Sequence, residues 1–408
     1  MPLIPINYSG YVQSHGLTLR FFFLCLMLTL ALGSTPAVAQ AVNTQLDIPP
    51  ATSHTEAWLV TYSPGEIYWQ RFGHNAIWIR DSENDIDHTF SFGFFDFNQE
   101  KFFQRFVQGR MLYFALAQPS LKEFEQYLNE NRSVSARKLQ LSADAFRILE
   151  THLLNHIKPE NRNYLYDYYL DNCSTRVRDA IDLALGGALK NRFSSIVAEQ
   201  NFREHTRRST SLDFSYSLAL EAALGSPVDR SISRWDEMFL PAVVDEVLAD
   251  LEVDGVAIAG EEKVIFRSTA VLPPESAPDL WPRYLLVSIL FVAFFIVLGR
   301  LAGSVMAMGS VLTWLTISAS GGMVLAGLWG FTDHTVAGPN TNLLLLNPLF
   351  VLGLWPRLRK FSAQLLLGGL GLVAIEALVP GGQYNLDMLA FFAPINVCCA
   401  IYLWRNPD

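Results

Sequence analysis

The chain has 408 residues, 50% of them hydrophobic, and a net charge of −9. That is room for an ordinary domain plus a second part of different character. No block of basic residues is present, which sets nucleic-acid binding aside, and charged residues become sparse after Arg283.

The N-terminus reads as an export signal. A weakly basic start ends at Arg20, an apolar core covers 21–32, and Ala37-Val38-Ala39 has the small-x-small form of a cleavage site, so residues 1–39 are predicted to leave. The alternative is an uncleaved first membrane helix. Of the four cysteines, Cys25 departs with the signal, while Cys398 and Cys399 lie in the last apolar segment. Cys173 is then alone in the exported region 40–280. A thiol without a disulfide partner in an oxidising compartment is either buried or used.

Residues 57–62 (AWLVTY) predict a strand, closed by a Ser63-Pro64-Gly65 turn. Further short strands are predicted at 75–79 and 88–95, and Phe102, Phe103, Phe106 and Val107 predict a short helix within 100–113. Helical spacing recurs over 121–131 and 143–157, with Pro119-Ser120 and Ser142 as start signals. The aromatic run Tyr164, Tyr166, Tyr168, Tyr169 is strand-like and stops at Asp171-Asn172. A helix opens at Cys173, capped by Asn172 or Ser174, with Val177, Ile181 and Leu185 on one face. Signals weaken over 191–279, where a helix at 233–251 interrupted near Pro241 and a strand at 264–272 are expected.

From Trp281 onward, apolar segments at 284–301, 303–331, 343–355, 363–378 and 386–404 predict five membrane spans. The third is short and contains Pro348, so it is tilted, extended into its flanks or partly re-entrant. Arg300, Arg357, Arg359, Lys360 and Arg405 then fall on the side opposite the exported region, as the positive-inside rule requires. The loop carrying Asp333-His334 shares the side of Cys173, where it is able to fold back and line a cleft.

A cysteine in the first turn of a helix feels the positive end of the helix dipole, which favours the thiolate. A thiol nucleophile also needs a base, and His74, following Gly73 at the start of a strand, is the candidate. The group orienting its ring is predicted to be His88 on the next strand, with Asp87 and Asp96 as alternatives. Oxyanion donors are expected from backbone N–H groups at the Cys173 helix start, with a hydroxyl from Tyr166 or Tyr168. Arg176 and Arg178 either meet a lipid phosphate or are surface charges. His152 and His156 are spaced i, i+4 but lack an acidic or cysteine companion for zinc.

With Phe72-Gly73-His74-Asn75-Ala76, Asp171-Asn172-Cys173-Ser174-Thr175-Arg176, Thr332-Asp333-His334, Asn342-Leu343-Leu344 and Asn347-Pro348-Leu349 in this order, the chain resembles the Lnb-type bacterial lipoprotein N-acyltransferases. The resemblance implies an α+β papain-like (permuted NlpC/P60-like) domain over 40–280, followed by an all-α membrane domain over 281–408. It implies transfer of an acyl chain from a membrane phospholipid to Cys173 as a thioester. The chain then passes to the α-amino group of a diacylglyceryl lipoprotein, without a cofactor, at the periplasmic side of the bacterial inner membrane. Asn172, Tyr166, Arg176, Asp333 and His334 are the candidate substrate-binding residues. Two other readings remain: an exported cysteine peptidase or amidase acting on cell-wall peptides, and a membrane scaffold in which Cys173 is inert.

Overall fold

The computed structural model describes residues 45–407; the predicted signal segment and its cleavage site lie outside them. The exported part is built on one seven-stranded antiparallel sheet in the order β6-β4-β3-β2-β1-β5-β9. Its strands are β1 (Thr55–Tyr62), β2 (His74–Asp81), β3 (Ile86–Phe95), β4 (Leu112–Pro119), β5 (Val134–Leu139), β6 (Asn163–Leu165) and β9 (Ala259–Phe266), with a small hairpin β7 (Glu252–Val253) and β8 (Val256–Ala257) before the last. The predicted strands at 57–62, 75–79 and 88–95 are β1 to β3. The aromatic run from Tyr164 yields only the three residues of β6.

β1 and β2 are buried on both faces, which explains why they read as near-continuous apolar runs. One face carries Leu59, Ile77 and Ile79 against α4 (Cys173–Ala184), whose Val177 and Ile181 are buried there. The other carries Val60, Ala76 and Trp78 against Phe124 and Tyr127 of α2 (Ser120–Asn129). Between β3 and β4 lies α1 (Phe102–Gln108), and α3 (Ala143–His156) starts at Ser142, whose hydroxyl accepts from the Ala145 N–H as a helix cap.

The stretch that gave weak signals contains α5 (Ala188–Phe193), α6 (Phe202–Thr210), α7 (Phe214–Ala223), α8 (Arg234–Glu237) and α9 (Pro241–Ala249). It joins the sheet to the apolar part. Arg203 of α6, 1% exposed, donates to Glu221 at 3.0 Å, to Asp229 at 2.7 Å and to the carbonyls of Leu224 and Gly225. Arg207 reaches Asp387 at 3.2 Å. Asn342 donates to the Glu221 carbonyl at 2.9 Å, and the Gly225 N–H to that of Val336 at 2.8 Å.

Among the described residues four helices, not five, are long and apolar enough to cross a membrane: α10 (Trp281–Ala302), α11 (Ser304–Phe331), α12 (Arg359–Glu376) and α13 (Leu386–Arg405). The third predicted span is instead a run of short 3-10 turns, Thr341–Leu344 and Pro348–Leu354. Pro348 lacks the N–H a helix would use, and Asn347 caps the second turn by accepting from the Leu349 N–H. This irregular backbone packs against the neighbouring helices through Leu345 and Phe350, both fully buried, and contact with protein is what irregular backbone at membrane depth requires. The Leu346 carbonyl lies where a side chain at Gly322 of α11 would sit, and Asn396 of α13 donates to the Leu345 carbonyl at 3.3 Å. The ends Leu280, Phe331, Glu376 and Leu386 meet the exported part or its adjoining loops. At the other end of the bundle Tyr402 bonds the Ser304 carbonyl.

Candidate functional site

Cys173 is the first residue of α4. Of the two caps the sequence offered, Asn172 is the one used, in a capping box: Asn172 Oδ1 accepts from the Thr175 N–H at 3.0 Å, and Thr175 Oγ1 accepts from the Asn172 N–H at 2.8 Å. Asn172 Nδ2 is spent on the carbonyls of Tyr168 and Phe239. All its polar atoms serve the fold, so the expected substrate contact is replaced by a capping role.

The helix start meets the start of β2. Ser174 donates to Asn75 Oδ1 at 3.0 Å, and the backbone N–H groups of Asn75 and Ser174 face the Cys173 sulfur. Gly93 on β3 has φ +95°, and a side chain built there would lie 3.4 Å from Cys173 Cβ. The bulge that shifts the β3–β4 register between Ser91 and Phe94 makes this room.

The expected dipole-lowered thiolate is not what this setting gives. Burial pushes the Cys173 thiol up, and the Ser174 and Asn75 donors and the charge of Arg132 offset it only in part. The resting group is the thiol. His74 is the neighbour of Asn75 in sequence but lies on the other face of β2, with its ring stacked on Tyr62 at 5.7 Å and Tyr127 at 6.2 Å. Burial, reinforced by Arg132, pulls its pKa down to about 3. The imidazole is therefore neutral at ordinary pH and, in this resting position, a weak proton acceptor.

His88 does not stand beside His74. It pairs with Ile79, five residues along β2, about 16 Å away at ~3.3 Å per residue. The position level with His74 belongs to the Gly93 region. Asp87 is held by Trp78 Nε1 at 2.6 Å and the Ser120 hydroxyl at 2.5 Å, and Asp96 turns the chain by accepting from the Asn98 N–H. Sequence reasoning missed two groups here. Glu123 is buried on the His74 face of the sheet, accepts hydrogen bonds from Thr89 and Ser91, and is pushed up by burial. Arg132, 3% exposed, lies over the Tyr127 ring at 4.5 Å. A Glu inside the otherwise amphipathic helix 121–131 was the one available signal.

Tyrosines wall the thiol. Tyr166 stacks on Tyr113 at 4.1 Å, and Tyr113, Tyr127, Tyr164 and Tyr166 all lie within electrostatic range of the Cys173 sulfur. Arg176 is engaged by Asp171 at 2.7 Å and covers the Tyr164 ring at 4.1 Å, which leaves it committed within the chain rather than open to a phosphate. Arg178 lies 3.8 Å over Trp235.

The Asp333-His334 loop does fold back. Asp333 pairs with Arg110, and its N–H donates to the Gln108 carbonyl at 2.9 Å. His334 stacks 6.4 Å from Tyr168, itself 5.8 Å from Tyr166. Gly109, at φ +71°, allows the contact: a side chain there would meet the His334 N at 3.0 Å.

A sheet domain followed by four apolar helices long enough to cross a membrane defines a membrane protein with an exported domain. Residues 50–207 match the family described as the Lnb N-terminal periplasmic domain, so this stretch of the exported part is similar to that domain. No curated protein and no solved structure matches the chain.

Proposed function

We propose that the protein is a thiol acyltransferase that takes an acyl chain from a membrane phospholipid and delivers it to the N-terminal amine of a diacylated lipoprotein. The observation that carries this is the placement of Cys173: on a capped helix start, walled by tyrosines, with a chain of rings leading to the loop that ends a membrane-crossing helix. The papain-like reading rests on the same geometry, a helix-borne thiol facing a sheet whose adjacent strand opens with histidine.

In this reading the Cys173 thiol attacks the ester carbonyl of the phospholipid, and His74 accepts the thiol proton as the S–C bond forms, once its ring has turned from its stack on Tyr62 and Tyr127 past the start of β2 toward the sulfur. The oxyanion is met by the N–H groups of Asn75 and Ser174. The C–O bond breaks, and the lysophospholipid alkoxide leaves with the proton from the imidazolium. The amine of the acceptor then attacks the thioester, and an amide forms as the thiol is restored. The third orienting group is assigned to the Tyr62–Glu123 side of the His74 ring in place of His88.

The test is mass spectrometry on detergent-purified full chain incubated with phospholipid. A hydroxylamine-labile acyl adduct on Cys173, lost in His74→Ala, is expected. A Cys173 that alkylates with small probes yet stays free of acyl groups with every phospholipid would turn the assignment toward the cell-wall peptidase reading.

A further inference from the structure

Exposed apolar side chains are concentrated on one arc of the exported part. Tyr68, Trp69, Phe97, Phe103 and Phe106 are 48–75% exposed, with Phe103 the most open at 75%. Trp69, Phe97 and Phe106 belong to one series of ring contacts that runs through Phe95 and Phe102: Trp69 to Phe95 at 6.0 Å, Phe95 to Phe97 at 4.9 Å, Phe97 to Phe102 at 5.2 Å and Phe102 to Phe106 at 6.5 Å. A contiguous patch of this kind on a face bathed in water is unfavourable and marks a contact surface.

Both ends of the arc are fixed at the level where helices leave the bundle. At one end, α1 touches the terminus of α11 through the Asp333 N–H to Gln108 bond and the Arg110–Asp333 pair. Phe331 there is 88% exposed. At the other end, Tyr68 packs 4.8 Å from Tyr216 of α7, and Ser217 of the same helix accepts from Tyr284 of α10 at 3.0 Å. The exposed rings thus continue the apolar surface of the spans. Lys101 and Arg105 lie among them, and cations beside aromatics suit a surface of phosphate headgroups.

We infer that α1 and the aromatic arc lie in the headgroup–acyl boundary of the bilayer that α10 to α13 cross, and that this is where an acyl chain enters toward Cys173. The inner edge of the arc supports the route: Phe95 touches Tyr113 at 5.3 Å, and Tyr113 touches Tyr166, which borders the thiol. The entry role rests on the acyltransferase reading; the lipid contact does not.

The full chain is placed in bilayers of phosphatidylethanolamine and phosphatidylglycerol that contain a phospholipid with a diazirine in its acyl chain. After irradiation, adducts are mapped by peptide mass spectrometry. Adducts at 95–107 as well as on the spans are expected. Adducts confined to 281–405 overturn the proposal and leave the arc to a protein partner. The double variant Phe103→Glu, Phe106→Glu is expected to lose the adducts at 95–107 and to slow Cys173 acylation from bilayers at least about tenfold. With monomeric short-chain phospholipid its rate stays near wild type, whereas equal slowing with both substrates would overturn the entry role. Adducts at 95–107 in a wild-type protein whose Cys173 is never acylated would keep the surface and remove the acyltransferase reading.

Discussion

Two buried arginines mark two different regions of the exported part, the junction with the helices and the neighbourhood of the thiol. Arg203, at the junction with the helices, is surrounded by acceptors of its own chain: two carboxylates and two carbonyls. Arg132, at the thiol end, donates through Nε to the Ser63 carbonyl at 2.8 Å and through Nη1 to Glu130 at 3.2 Å, while its buried Nη2 has no hydrogen-bond partner among the described residues. The first charge is consumed by the fold. The second still projects onto its surroundings, pulling the pKa of both His74 and Cys173 down. A buried charge with unspent capacity is costly for stability, and such groups gather where chemistry is done.

The contrast is broken most directly by removing each charge. Arg203→Met leaves Asp229 without its arginine and Glu221 with only the longer Arg207 contact at 3.6 Å, and is expected to cost about 3–5 kcal/mol. Its thermal midpoint in detergent should fall far more than that of Arg132→Met, for which lost hydrogen bonds predict about 1–2 kcal/mol. Equal losses would erase the distinction. Arg132→Met should instead show at the thiol, slowing alkylation of Cys173 by iodoacetamide at pH 8, because loss of the nearby cation pushes the thiol further up.

A smaller effect follows from His74. With a folded pKa near 3 against an ordinary 6.5, the ring takes up a proton on unfolding between those values. Stability therefore falls as pH drops through that window. His74→Gln should flatten the decline of the thermal midpoint between pH 6.5 and pH 4, and an unchanged slope would assign the acid sensitivity elsewhere. The smallest effect belongs to the exposed Arg110–Asp333 contact. Asp333→Asn is expected to leave the midpoint unmoved while amide exchange at 332–335 quickens.

What the sequence made legible was local. The Asn172–Thr175 cap, the Ser142 cap and the apolar strands β1 to β3 follow from a few adjacent residues. β5 was missed because its pattern carries Arg137 and Lys138, which are accommodated by Asp245 and Glu56 far along the chain. β4 was missed because its residues follow a helical run and end in Pro119. The pairing of His88 with Ile79 depends on register, which the short turn between β2 and β3 sets and composition does not. The junction was illegible for the same reason: Arg203, Arg207, Asn342 and Asp387 acquire meaning only when segments more than a hundred residues apart meet.

The 3-10 passage between α11 and α12 has a consequence for sidedness. An even number of helical crossings ordinarily returns a chain to the compartment it left. Here α11 and α12 both finish beside the exported part, so the stretch from Thr332 to Trp355 must traverse the bundle without a spanning helix. The count of traverses is odd although the count of helices is even. Reporter fusions at the terminus after Arg405 should therefore register the compartment opposite to the thiol, where a tally of helices alone would place them together.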